Sequence, residues 1–151
     1  MNSNNGYKIR CLSCGTRNRI PSNKAGDVAR CGSCKSILNT EVISATQPVV
    51  VTDNDFEQQV VKSPLPVLVF FWAPWCSSCQ AVTPIIDEFA SEARGHVKVC
   101  KVNVDASPMT ASKFNILSVP NLLVFDNGQF KESLFGLTQK HDIMMKLAPY
   151  I

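Results

Sequence analysis

Three Cys-x-x-Cys pairs constrain this chain more than any other feature: Cys11/Cys14, Cys31/Cys34 and Cys76/Cys79, with Cys100 left alone. Seven cysteines cannot all pair within one molecule, and such short paired spacing marks metal ligands or redox centres rather than structural staples. The pairs are unevenly placed, and charge divides the chain where they do. Residues 1–48 carry seven basic against two acidic side chains, net +5; the remainder carries eight against ten, net −2.

Residues 7–40 lack a long apolar period and are punctuated by Gly15, Pro21, Gly26 and Gly32, so they cannot build a core large enough to fold unaided. Residues 1–40 are read as a small module, 41–48 as a polar linker closed by Pro48, and 49–151 as a larger domain. At 151 residues, with 45% hydrophobic and 18% charged, the composition is that of a globular protein. The longest apolar run, residues 64–75, is broken by Pro66 and Pro74 and falls short of the roughly 20 residues that span a bilayer, so no membrane association is expected. The first six residues are polar and lack the apolar stretch of a secretory signal, so a cytoplasmic protein is expected. No internal repeat is visible.

The first two pairs form C-x2-C-x16-C-x2-C, inside the range of four-cysteine zinc sites. Two residues between ligands let one tight turn present both sulfurs to a tetrahedral ion, and an intervening hairpin brings the second turn opposite. Four thiolates on Zn²⁺ leave a net −2, which Arg10, Arg17, Arg19, Arg30 and Lys35 would partly balance. Disulfides, free thiols or iron are the alternatives, and a reducing compartment weighs against the first. Cys11, Cys14, Cys31 and Cys34 are therefore expected to hold one structural zinc. The basic charge also fits nucleic acid, but no aromatic platform beyond Tyr7 and no basic run accompany it, and none is expected as a partner.

The third pair lies in another setting. Residues 67–71 read as a strand buried on both faces, and 76–94 have helical spacing, with Pro84 as a kink. Cys76 and Cys79 therefore stand at a helix N-terminus, one turn apart, where free N–H groups and the positive end of the helix dipole favour a thiolate at the first sulfur. Cys76 is the expected nucleophile and Cys79 the resolving thiol. A strand at 97–104, a short helix at 108–114 and a hairpin about Asn127-Gly128 follow. Thr138 is read as the cap of a last helix, which gives the order β-α-β-α-β-α-β-β-α. Cys100, in a β-branched strand, is read as a small buried apolar residue. No phosphate loop or dinucleotide fingerprint is present, so no bound nucleotide is expected.

At Phe71-Trp72-Ala73-x-Trp75-Cys76-x-x-Cys79 the chain resembles the thioredoxin family. Pro84, Lys101, Asp105, Val119-Pro120 and Gly136 extend the match over residues 49–151. With its four-cysteine ribbon, Ile20-Pro21 and Pro74, it is similar in particular to the zinc-containing bacterial branch known as thioredoxin 2. The resemblance implies a thioredoxin fold, a central mixed sheet flanked by helices, behind a small zinc ribbon. It also implies a protein-disulfide reductase, active in electron transport, that acts as a monomer and is recharged by an NADPH-dependent thioredoxin reductase. Pro120 would be cis, and Trp75, Val119 and Pro120 would meet the substrate, with Val119 adding it as a strand. Two departures stand out: Ser77-Ser78 where the family has Gly-Pro, and Phe70 where it has a buried Asp. These favour a weaker reductant than usual. The competing reading is a zinc-dependent binding or holdase module with little turnover.

Overall fold

The computed structural model describes residues 6–136 and 138–151. The polar start on which the secretory reading rests lies almost wholly outside the described residues. Two sheets organise the chain. Strands β1 (Tyr7–Arg10) and β2 (Arg17–Ile20) form an antiparallel hairpin. The second sheet contains β3 (Val49–Val50), β4 (Val67–Trp72), β5 (Lys98–Asn103), β6 (Asn121–Asp126) and β7 (Gln129–Phe135), in spatial order β3-β5-β4-β6-β7. The first three run parallel to one another, while β6 is antiparallel to both β4 and β7.

Burial explains this order. β4 is central, and its residues 67–71 are buried on both faces, as their unbroken apolar run predicts. Its alternate side chains fall into two clusters. Leu68 and Phe70 face helix α1 (Ser77–Glu92) and helix α3 (Lys140–Leu147); Val67, Val69 and Phe71 pack with Phe56, Val60, Cys100 and Phe125. Helix α1 continues through Pro84, and the short α2 (Pro108–Lys113) starts on the proline expected there. The hairpin turn has positive φ at both Asn127 (54°) and Gly128 (77°), the conformation that this residue pair favours.

Three expectations change. The first helix of the expected β-α-β-α-β-α-β-β-α order is a single π-helical turn, Glu57–Val61, that buries Val60. Thr138 does not cap α3: its hydroxyl donates to the Gly136 carbonyl at 3.1 Å, and Gln139 caps instead in a reciprocal pair with Asp142. Residues 41–48 are not simply a linker. Glu41–Ser44 form a 3-10 turn, and Ile43 is buried in the ribbon core with Ile9, Ile20, Leu38 and Leu65. So small a module needs apolar side chains from outside it, and Leu65 comes from the larger domain.

The ribbon is seated at one end of the second sheet. The Arg10 N–H donates to the Pro64 carbonyl at 2.9 Å, and the Arg10 guanidinium lies 3.7 Å from Asp126. Arg94 donates to the Ile43 carbonyl at 3.3 Å, and the Tyr7 and His96 rings pack 5.5 Å apart. Among the described residues no helix is long and apolar enough to cross a membrane.

Candidate active site and metal centre

Strand β4 delivers the chain to its C-terminal end, where the Cys76 N–H donates to the Ala73 carbonyl at 3.2 Å and turns the backbone into α1. Cys76 is the N-cap of that helix, and its Sγ accepts the Cys79 N–H at 3.1 Å. A sulfur thus does what a Ser or Asp oxygen does at other helix starts. Of the free N–H groups expected at the helix start, the one that reaches this sulfur is the amide of Cys79. On its other side Cys76 Sγ lies 3.6 Å from the Val119 carbonyl oxygen, and the Val119–Pro120 peptide is cis. The structure therefore brings together Cys76, Cys79, Val119 and Pro120.

Cys79 lies deeper, at 1% exposure, and burial followed by its hydrogen bond to Cys76 pushes its thiol up to about 11. Phe70 is fully buried in the cluster that contains both cysteines. Lys101 places its ammonium 5.4 Å from the centroid of the Trp72 ring. Trp75 is 69% exposed, and its Nε1 donates to Asp105 at 3.0 Å. Asp105 was a feature of the family match, but its role as the anchor of Trp75 was not foreseen. Burial pushes the Cys100 thiol up to about 12, in keeping with a small core residue.

The other four cysteines converge at the ribbon tip, with all four Sγ atoms within 4.8 Å of one another. Cys11–Cys34 and Cys14–Cys31 are both 3.6 Å apart, close to the roughly 3.8 Å edge of a tetrahedron with a metal–sulfur distance of about 2.3 Å. Backbone N–H groups of Cys34 and Ser33 pull the Cys31 thiol down to about 6, and the Ser36 hydroxyl lowers that of Cys34. This donor set fits a thiophilic tetrahedral ion such as zinc.

The ribbon also holds a repeat that the sequence reading overlooked. Arg10-Cys11-x-x-Cys14-Gly15-Thr16 and Arg30-Cys31-x-x-Cys34-Lys35-Ser36 form matching knuckles. Each first cysteine donates its N–H to the Thr16 or Ser36 carbonyl at 2.8 Å, and each second sulfur lies 3.3 Å from the hydroxyl of that residue. Each arginine donates to the Gly15 or Lys35 carbonyl at 3.1 Å. Asn18 links the two by accepting the Gly32 N–H at 2.9 Å.

A parallel–antiparallel sheet with a dithiol at the N-terminus of its first long helix, opposite a cis-proline, defines a class of thiol–disulfide oxidoreductases. The thioredoxin family model matches residues 47–149, and the model of the thioredoxin 2 N-terminal zinc ribbon matches residues 10–36. The chain belongs to the thioredoxin family. It is similar to the thioredoxin of Rickettsia felis, 47% identical over 94 residues, which cover 62% of this chain and 90% of that protein. Thioredoxin 1 of Nostoc is 43% identical over 101 residues, 67% of this chain and 94% of the relative. The chloroplastic M-type thioredoxin of Pisum sativum is 46% identical over 102 residues, 68% and 59% respectively. The activity class is thus protein-disulfide reduction of the thioredoxin type.

Proposed function

We propose that Cys76 and Cys79 carry the redox chemistry, with Cys76 as nucleophile. The observation that carries this is the asymmetry of the pair: Cys76 Sγ accepts a helix N-terminal N–H, whereas Cys79 is buried with its thiol at about 11. The Cys76 thiolate attacks one sulfur of a substrate disulfide, forming a mixed disulfide and releasing the first substrate thiol. Cys79 then loses its proton and attacks Cys76 Sγ, which releases the second thiol and leaves Cys76–Cys79 oxidised. Two electrons pass to the substrate. Trp75, Val119 and Pro120 meet the substrate beside Cys76, with the Val119 backbone pairing to it as an added strand.

Cys11, Cys14, Cys31 and Cys34 hold one zinc ion, which when bound supplies a rigid crosslink between the two knuckles and no redox chemistry. The protein works as a monomer in the cytoplasm, where thiols stay reduced. An NADPH-dependent thioredoxin reductase returns the pair to the dithiol. Phe70 supports a weaker reductant than usual, because no buried carboxylate opposes a thiolate at the pair. Reduction of a disulfide protein coupled to NADPH and a thioredoxin reductase tests the assignment. Cys76→Ser should abolish turnover, and an unchanged rate would leave only the binding-module reading.

A further inference from the structure

We infer that Asp53 is a positioning residue for Trp75, acting on it through helix α2 and Asp105. In the proposed function Trp75 meets the substrate beside Cys76, and the inference rests on that reading. Helix α2 does not cap itself. It opens on Pro108, which has no N–H, so the donors left without a partner inside the helix are those of Met109 and Thr110. The N-cap position holds Ser107, a residue type that commonly supplies the capping oxygen. Here the Ser107 side chain makes no capping bond, and its buried hydroxyl has no hydrogen-bond partner among the described residues. The cap comes instead from Asp53, which lies between β3 and the π-helical turn. Its carboxylate accepts the Met109 N–H at 3.1 Å, the Thr110 N–H at 2.8 Å and the Thr110 hydroxyl at 2.6 Å. These bonds, the Thr110 hydroxyl first, hold the Asp53 carboxyl below the usual carboxylate range.

Asp53 is itself fixed. Its turn is closed by the Asp55 carboxylate, which accepts the Thr52 N–H at 2.8 Å, and by Phe56, whose N–H donates to the Thr52 carbonyl at 3.0 Å and whose ring is buried in the core. On the other side of α2, residues 103–107 form one tight turn. The N–H groups of Ala106 and Ser107 donate to the Asn103 carbonyl, and that of Asp105 donates to the Asn103 side chain. Strand β5 holds this turn at Asn103 and α2 holds it at Ser107, with Asp105 between the two anchors. The Asp105 carboxylate is the one hydrogen-bond partner of the Trp75 indole among the described residues, and the ring is otherwise largely exposed. An exposed ring on a single tether takes its direction from that tether. The pose of Trp75 beside Cys76 is thus set by a turn whose far anchor is Asp53. That pose matters most for a disulfide held in a polypeptide, and least for a small one that reaches Cys76 without touching the indole.

The test compares Asp53→Asn with Ser63→Ala in the reduced, zinc-loaded full chain. Ser63 lies beyond the end of β4 remote from Cys76, where its buried hydroxyl bonds the Leu65 backbone, so Ser63→Ala costs stability away from the site. The first readout is solvent exchange of the Trp75 indole N–H, followed by NMR and assigned with Trp75→Phe. Asp53→Asn should speed it at least about threefold, and Ser63→Ala should leave it unchanged. The second readout is the single-turnover rate constant for reducing a disulfide protein. Asp53→Asn should lower it at least about threefold, while the rate with hydroxyethyl disulfide changes less than about 1.5-fold. In the Trp75→Phe background Asp53→Asn should lower it no further, because both changes remove the same contact. If Asp53→Asn does not fold, Thr110→Val decides, since it removes only the hydroxyl bond, with an expected gain in indole exchange of about twofold. Unchanged indole exchange, an equal gain in Ser63→Ala, or losses that add in the Trp75→Phe background would overturn the inference. If Trp75→Phe alone reduces the disulfide protein at the unaltered rate, Trp75 leaves the proposed function, and indole exchange still decides whether Asp53 sets its pose.

Discussion

Phe70 sits at 0% exposure where the family resemblance implies a carboxylate, and it faces the cluster that holds Cys76 and Cys79. A buried anion there would disfavour a neighbouring thiolate and so favour the disulfide; phenylalanine removes that opposition. The reduced form is therefore expected to be more stable, and the protein less willing to give up electrons. Apolar burial works the other way by desolvating the thiolate, and the Cys79 N–H at 3.1 Å offsets it. Equilibration with a glutathione buffer should give a potential above that of a thioredoxin bearing the buried Asp, measured alongside. Phe70→Asp should lower it by about 30 mV or more, the equivalent of 1.4 kcal/mol for a two-electron couple. Ser78→Pro should move it less, because the donor to Cys76 belongs to Cys79. A potential at or below that of the Asp-bearing protein would refute the argument. The placement of both cysteines at a helix start was legible in the sequence, since that start follows a buried strand. The identity of the donor was not, because spacing cannot say which of several N–H groups points at a sulfur.

At the scale of elements, the two knuckles are built alike but filled differently. Each needs a left-handed residue after its second cysteine: Gly15 at φ 80° and Lys35 at φ 67°. Glycine adopts that conformation freely, whereas a Cβ makes it costly. Lys35→Gly should therefore stabilise the zinc-loaded ribbon by about 0.5–1 kcal/mol after the extra freedom of glycine in the unfolded chain is allowed for. Chelator challenge followed by thiol release reads this out, and faster metal loss from Lys35→Gly would contradict it. The long elements were readable because β4 and β6 carry apolar runs, β5 carries β-branched Val99 and Val102, and α1 carries an apolar stripe. The π-helical turn and the Gln139 cap were not. Both depend on where one side chain finds a partner, as when Thr138 turns to Gly136. The knuckle repeat is written in the sequence as Arg-Cys-x-x-Cys-x-Thr/Ser, but ligand spacing drew attention away from the flanking residues.

Across the whole molecule, metal centre and dithiol are separated by the length of β4, at about 3.3 Å per residue some 20 Å of sheet. The ribbon reaches the larger domain through Leu65, Asp126, Arg94 and His96, all remote from Cys76 in the fold. With only seven fully buried side chains in its cluster among the described residues, two of them cysteines, the ribbon is expected to depend on metal for its fold. One equivalent of zinc is expected after purification without chelator. Thiol titration of the reduced native protein should then find Cys76 and Cys79, with Cys100 slow because it is buried, and four more after chelation. Less than about half an equivalent of metal, or seven thiols reacting at once, would contradict the assignment.

The central claim, that Cys76 attacks and Cys79 resolves, is tested most directly by trapping. Cys79→Ser keeps the nucleophile and removes the group that would release the substrate, so incubation with a disulfide-bearing protein should accumulate a mixed disulfide at Cys76, identified by mass spectrometry of the linked peptides. Cys76→Ser should trap none through Cys79, whose thiol is buried and held up at about 11. A mixed disulfide at Cys79 in that variant, with none at Cys76 in the first, would reverse the roles and contradict the account.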